Sequence, residues 1–269
     1  MFSSRYTTIM KLLPSVLLWT ALVIAVQATN YCDRKLCRGK GRHIACNGLT
    51  QLAPSCGSSA REIPLDSHKQ AMIVALHNTF RSRVASGRVT SSSNGRLPPA
   101  ARMATMQWDA ELASVAAANA RRCKLEYDTC RSTDRFPLAG QNIALIGNFG
   151  RARTDAELVM LVISDWFAEY EDVEMGQLES YNVRKGGPRV GHFTQIAADR
   201  ATHVGCSLVS FQQAFTTQWL FVCNYAITNI REEPVYVGGA PCSGCMTGCN
   251  DNYPGLCNVE EGIEAKYWD

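Results

Sequence analysis

The chain has 269 residues, 46% of them apolar and 19% charged, with twelve cysteines. That length can carry a sizeable core, and the modest charge and ten prolines exclude a disordered chain. The formal charge is +3; without Arg5 and Lys11, which fall in a leader-like segment, 25 basic residues face 24 acidic ones, a net +1. So weak a net field excludes nucleic acid and anionic membranes as expected partners.

Residues 1–28 read as a secretory signal peptide. Arg5 and Lys11 make a weakly basic start, 12–26 is an apolar run interrupted by Ser15 and Thr20, and Val26-Gln27-Ala28 offers a cleavage site. An uncleaved anchor is the rival reading. The run covers only fifteen residues and contains Pro14, whereas a bilayer needs ~20. No later segment is apolar enough to cross a membrane. The expectation is a secreted, extracellular protein with no transmembrane anchor.

In an oxidising compartment cysteines pair with each other before they bind metal. All twelve lie beyond residue 28. Cys32, Cys37, Cys46 and Cys56 sit in an N-terminal segment, Cys123, Cys130, Cys206 and Cys223 in the main body, and Cys242, Cys245, Cys249 and Cys257 in the tail. The Cys242-x2-Cys245 spacing also suits a zinc knuckle, but secretion favours two disulfides there.

A first helix is expected from Ser67, with Gln70 at capping-box spacing, Ile73, Leu76, Phe80 and Val84 on one face, and Gly87 as the stop. Residues 86–99 read as a loop. Asp109 is placed to cap a helix over 110–122. Thr154 and Glu157 form a capping box for a third helix running to about Tyr170, with Leu158, Leu161, Val162 and Trp166 inward. The period then shortens. Residues 204–211 and 218–225 are rich in β-formers around a polar link, a hairpin in which Cys206 faces Cys223. Helices and antiparallel strands in this order imply one layered α+β domain.

Two residues stand out for chemistry. Glu169 falls on or beside the third helix's apolar stripe, where a carboxylate needs a partner. His192 stands in Gly191-His192-Phe193-Thr194-Gln195, behind a Gly186-Gly187-Pro188 turn. Such a pair can hold a metal or act as acid and base beside a nucleophile; spacing alone favours a structural pair. His77 is expected to pack inside the first helix, while His43, His68 and His203 form no ligand pattern. The sequence has no Gly-x-Ser-x-Gly elbow, phosphate loop or His-Glu-x-x-His helix, and no Asn-x-Ser/Thr sequon.

Gly191-His192-Phe193-Thr194-Gln195-Ile196 resembles one signature of the CAP superfamily (cysteine-rich secretory proteins, antigen 5, pathogenesis-related 1), and Leu220-Phe221-Val222-Cys223-Asn224-Tyr225 resembles its second. His77-Asn78 with Arg81, Met106-Gln107-Trp108-Asp109, Gly140-Gln141-Asn142-Ile143-Ala144, and Trp166 with Glu169 match in the same order. Asn30-Tyr31-Cys32 through Cys56, with Cys130-Arg131-Ser132-Thr133, resembles the insect antigen 5, venom allergen-like branch. The resemblance implies a three-layer α-β-α sandwich with a broad cleft at 65–237. A cysteine-rich extension at 29–64 would precede it and a hinge-like tail at 238–269 would follow. It further implies the bridges Cys32–Cys46, Cys37–Cys130, Cys56–Cys123, Cys206–Cys223, Cys242–Cys249 and Cys245–Cys257.

The departures from the family pattern bear on function. The family's cleft often presents two histidines and two acidic residues able to hold a divalent metal. By position this chain keeps His192 and Glu169, but has Tyr127 for the other histidine and Gln141 for the second acid. That is a poor donor set for zinc, and no cofactor is expected. Ala198 replaces the usual tryptophan of the first signature, and the stretch 226–230 is shorter than the usual second one. The implied function is a non-enzymatic secreted protein whose cleft, with His192, Glu169, Tyr127 and Gln141, binds a small hydrophobic ligand (sterol, fatty acid or eicosanoid type) or an extracellular protein. The alternative is a metal-assisted hydrolase using the same His–Glu cleft.

Overall fold

One sheet sorts the helices to its two faces. The computed structural model describes residues 29–92, 95–147, 153–182 and 186–265; the expected signal peptide, 1–28, lies outside them. In chain order the elements are β1 (Arg61–Ile63), α1 (Ser67–Ala85), β2 (Thr90–Ser91), β3 (Gly95–Arg96), β4 (Gln107–Trp108), α2 (Ala110–Ala120), β5 (Gly140–Gly147), α3 (Asp155–Ala168), α4 (Met175–Glu179), α5 (Gly191–Ala197), β6 (His203–Gln213) and β7 (Thr216–Tyr225). The strand order is β1-β6-β7-β5, antiparallel throughout, and β4 adds a short parallel pairing to the start of β6.

Strand alternation divides the core. Phe221, Cys223 and Tyr225 of β7 pack with α1, α3 and α5, while Leu220 and Val222 pack with Ala116 and Ala120 of α2. The result is a three-layer α-β-α sandwich of α+β class. Gly205 lets α2 lie close: a Cβ there would stand 2.2 Å from the backbone nitrogen of Ala113. On the other face Arg81 of α1 is fully buried and donates to the carbonyls of Ala104, Ile196, Ala198 and Asp199. Burial, opposed by nearby Asp199, pulls its guanidinium down to about 10.

The helix ends differ from the expectations in instructive ways. Asp66 rather than Ser67 caps α1, its Oδ1 accepting the Lys69 N–H at 2.9 Å. Gln70 turns back to donate to the Leu65 carbonyl at 2.7 Å instead of closing a box with Ser67. A carboxylate one residue earlier is an equally good acceptor, and Ser67 becomes the first helical residue. Asp109 does cap α2, accepting from Leu112 N–H at 2.7 Å. The helix stops at Ala120, short of 122; Cys123 then takes a left-handed φ of 52° and bridges to Cys56.

Thr154 and Glu157 form the expected capping box of α3. The helix ends at Ala168, and Glu169–Asp172 tightens into a 3-10 turn. Its buried stripe is wider than expected. Val159, Ile163 and Phe167 join Leu158, Val162 and Trp166, whereas Leu161 is only half-buried. The stretch 86–99, expected as loop, contains the β2–β3 pairing. In the long hairpin the pairing continues to Gln213↔Thr216, so Ala214 (φ 54°) and Phe215 alone make the turn. Cys206 and Cys223 face each other in that register.

Disulfides hold the two ends of the described chain. The bridges are Cys32–Cys46, Cys37–Cys130, Cys56–Cys123, Cys206–Cys223, Cys242–Cys249 and Cys245–Cys257. The tail docks through Glu261, which ion-pairs with Arg102 at 2.6 Å and accepts from the Met246 and Thr247 N–H groups. No helix of the described residues is long and apolar enough to cross a membrane.

Candidate functional site

A cleft of about 810 Å³ opens beside β5, the edge strand of the sheet. Three segments bring the relevant side chains to it: the turn after α3 carries Glu169, the start of α5 carries His192, and the irregular segment between α2 and β5 carries Tyr127. Glu169 is spent on α5. Its Oε2 accepts the backbone N–H of His192 at 2.8 Å and of Phe193 at 3.2 Å, and its Oε1 accepts from His192 Nδ1 at 2.7 Å. A carboxylate at unpaired N–H groups of a helix start is electrostatically favoured.

This arrangement fixes the imidazole. A carboxylate only accepts, so Nδ1 carries a proton, and in the neutral ring the lone pair lies on Nε2. Nε2 faces the hydroxyl of Tyr127 at 3.1 Å, and the indole of Trp166 stacks 5.6 Å from the ring. Burial, then the charge of Glu169, raises the Tyr127 phenol above its ordinary value, so it stays a donor. Gln141, buried on β5 and lining the same cleft, joins a different group. Its Nε2 donates to Asp128 Oδ2 at 2.7 Å and to Asn224 Oδ1 at 2.9 Å, while Asp128 pairs with Arg131 at 2.8 Å. The structure thus brings His192, Glu169 and Tyr127 into one chain of hydrogen bonds and leaves Gln141 out of it.

A second chain braces the first from below. His77 donates through Nδ1 to the Ile73 carbonyl at 2.8 Å and meets the Tyr225 hydroxyl through Nε2 at 3.0 Å. Asn142 donates to that hydroxyl at 3.3 Å and to the His192 carbonyl at 3.1 Å. Four elements, α1, β7, β5 and α5, are thereby tied together. The other histidines serve locally: His43 bonds the Ser132 carbonyl, and His203 meets Arg135.

The cysteine-rich secretory protein family, CAP, matches residues 74–225 by its family model. The chain belongs to the CAP family. It is 38% identical to Venom allergen-1 of Aedes aegypti over 246 residues, covering 91% of this chain and 94% of that one. To the antigen 5 like allergen Cul n 1 of Culicoides nubeculosus it is 32% identical over 203 residues, 72% of this chain and 90% of the relative. Among solved structures, that of NaASP2 with Zn2+ superposes with a TM-score of 0.60 at 26% identity, over 72% of this chain and 96% of that one. This CAP protein is therefore insect antigen 5-like along most of its length.

Some residues of the CAP cleft carried no signal in the sequence. Leu125 and Tyr181 line it, and Asp128 pairs with Arg131 under Gln141; Leu125, Asp128 and Tyr181 lie in no matched motif, and the motif that holds Arg131 marked the branch without showing its partner. Asn142 and Tyr225 lay inside matched motifs, which marked them without showing what they touch.

Proposed function

We propose that this CAP protein is secreted, is not an enzyme, and carries a small hydrophobic ligand in the cleft beside β5. The supporting observation is an engaged histidine beside an open apolar wall. Tyr127 occupies His192 Nε2 at 3.1 Å, while Leu125 and Tyr127 remain 56% and 52% exposed at the cleft. Covering such surface is favourable by ~25 cal/mol per Å². A hydrolase of this design would need Nε2 free to take a proton from a nucleophile or water.

A zinc ion does not fit the residues present. Zinc wants three or four imidazole, thiolate or carboxylate donors around one point. Both oxygens of Glu169 are committed to α5, Gln141 is committed to Asp128 and Asn224, and among the described residues no three His, Cys, Asp or Glu side chains converge. The disulfides and the similarity to venom allergens support the secreted reading.

Native mass spectrometry of the oxidised, secreted protein tests the proposal against its denatured mass. One small organic molecule should be lost on denaturation, and Leu125→Asp should load less of it. Stoichiometric zinc, or ester hydrolysis that vanishes in His192→Ala, would overturn the reading. A cleft that stays empty and takes neither fatty acid nor sterol on titration would leave it to an extracellular protein partner instead.

A further inference from the structure

The near-neutral total conceals a segregation of charge. Residues 29–64 contain six Lys and Arg against two Asp and Glu, whereas 238–269 contain one against five. Arg34, Lys35, Arg38, Lys40 and Arg42 fall within nine residues, and all five are exposed. Among the described residues none of them pairs with a carboxylate. Asp33, the acid beside them, accepts the Lys35 backbone N–H through Oδ1 at 2.9 Å.

These cations sit on a cross-linked frame. Cys32–Cys46 and Cys37–Cys130 bracket the segment. Successive turns close it, with Leu36 N–H on Asp33 O at 3.2 Å, Arg38 N–H on Lys35 O at 3.0 Å and Lys40 N–H on Cys37 O at 2.8 Å. Gly39 and Gly41 take the left-handed φ values of 75° and 104° that such tight winding needs. The Thr129 hydroxyl holds the Arg42 carbonyl at 3.1 Å. Arg34 and Arg42 line a shared hollow of about 490 Å³ with Tyr31 and the Cys32–Cys46 bridge. A charge cluster ordered in advance loses less entropy when it binds.

We propose that this head is a binding surface for a sulfated polysaccharide of the glycosaminoglycan class. Guanidinium groups engage oxyanions with two parallel hydrogen bonds, and ammonium groups act as point charges beside them. Closely spaced sulfates on a sugar chain match five cations within nine residues, none of them neutralised by a carboxylate; Arg34 and Arg42 line the hollow with Asp33, and Arg42 Nη2 also donates to the Cys46 carbonyl at 3.0 Å. A bilayer matches them less well, because Leu36 is the one large apolar side chain within 33–42 and it is half-buried, leaving no apolar wedge. Bases would need a free aromatic face. Tyr31 is the only Phe, Tyr or Trp within 29–64, and one face of its ring is already stacked on His43 at 4.8 Å with its hydroxyl held by Glu111 at 3.0 Å, so the head has no row of rings for successive bases. The proposal rests on the secreted reading only for where such a polysaccharide is met.

Heparin binding by the full oxidised chain, measured by titration calorimetry against salt, tests this directly. The probes are a heparin oligosaccharide, its desulfated counterpart, and phosphatidylserine-containing vesicles. Heparin should bind at about 0.15 M salt and the desulfated sugar should not. Combined Arg34→Gln, Arg38→Gln, Lys40→Gln and Arg42→Gln should weaken binding by more than about tenfold. Arg231→Gln, at an exposed site elsewhere, should leave it unchanged. Each of the four as a single variant should lower the salt slope by about one, a readout that survives if the combined variant misfolds. No heparin binding, binding that persists in the combined and single variants, equal binding of the desulfated sugar, or tighter binding to vesicles overturns the proposal. Leu125→Asp should bind heparin like the parent, so failure of the cleft reading is seen separately.

Discussion

Tyr127 and His192 stand 65 positions apart in the chain, and the phenol hydroxyl meets imidazole Nε2 at 3.1 Å. With Glu169 on Nδ1 at 2.7 Å, both ring nitrogens are engaged. The histidine is thus held as a strut between the turn after α3 and the segment before β5, under the indole of Trp166.

Replacing that phenol should strengthen zinc binding at the cleft. Tyr127→His places a second imidazole beside His192 Nε2, and imidazole is a far better zinc donor than a protonated phenol. Zinc affinity should rise at least about tenfold, or ~1.4 kcal/mol, by isothermal titration of parent and variant. Equal affinities would show that the second imidazole is not what the cleft lacks.

Gln141→Glu, which supplies the other acidic position, should instead be destabilising. The present amide donates to Asp128 and Asn224; a carboxylate there turns two hydrogen bonds into two facing acceptors. The cost should be about 2–3 kcal/mol in urea unfolding at neutral pH. It should shrink in mild acid, as the new carboxyl takes up a proton.

Acid should weaken the protein through His77. Complete burial lowers its imidazole from 6.5 to about 4, so between those values the unfolded chain binds the proton and the folded one does not. Stability from the neutral ring is therefore full above pH 6.5 and is lost as pH falls toward 4, by roughly 3 kcal/mol at the lower end. His203, lowered to about 4 by burial and by Arg135, adds in the same direction. Unfolding midpoints from pH 7 to 4 should fall, and His77→Gln should flatten the slope. A parallel slope in that variant would assign the effect elsewhere.

The tail should release in a lower window. Burial opposes the charge of Glu261, but hydrogen bonds from Met246, Thr247 and Arg102 outweigh it and bring the carboxyl down to about 2 from 4.5. A depressed carboxyl stabilises above its ordinary value and ceases to do so as pH falls through the folded one. Amide protection in the tail, relative to the intrinsic exchange rate at each pH, should hold down to about 4.5 and fall between 4.5 and 2, with Glu261→Gln weakly protected throughout. Strong protection in Glu261→Gln would place the docking energy in the disulfides.

Local chemistry made much of the fold legible. Asp109 and the Thr154–Glu157 box start helices whatever packs on them, and the β-rich runs of β6 and β7 pair because a two-residue turn suffices to join them. Legibility ended where polar residues lie inside. β5 carries Gln141 and Asn142 inward, so its strand pattern is hidden, and α5 is a seven-residue helix too short to show a period. In sequence Ser67 reads as the start of the first capping box, whereas in the structure Asp66 caps the helix by accepting the Lys69 N–H.

The amino-acid order by itself determined the class of protein, the family, and the residue types at the four cleft positions, because these depend on short motifs in sequence. Only the tertiary structure decided what those residues do. Glu169 serves α5, Tyr127 engages His192, and Gln141 belongs to Asp128, because each hydrogen bond joins segments that meet only after the sheet and its helices have packed. The basic head likewise became a surface through Cys37–Cys130, which fixes a short run of charge against a body that has almost none in balance.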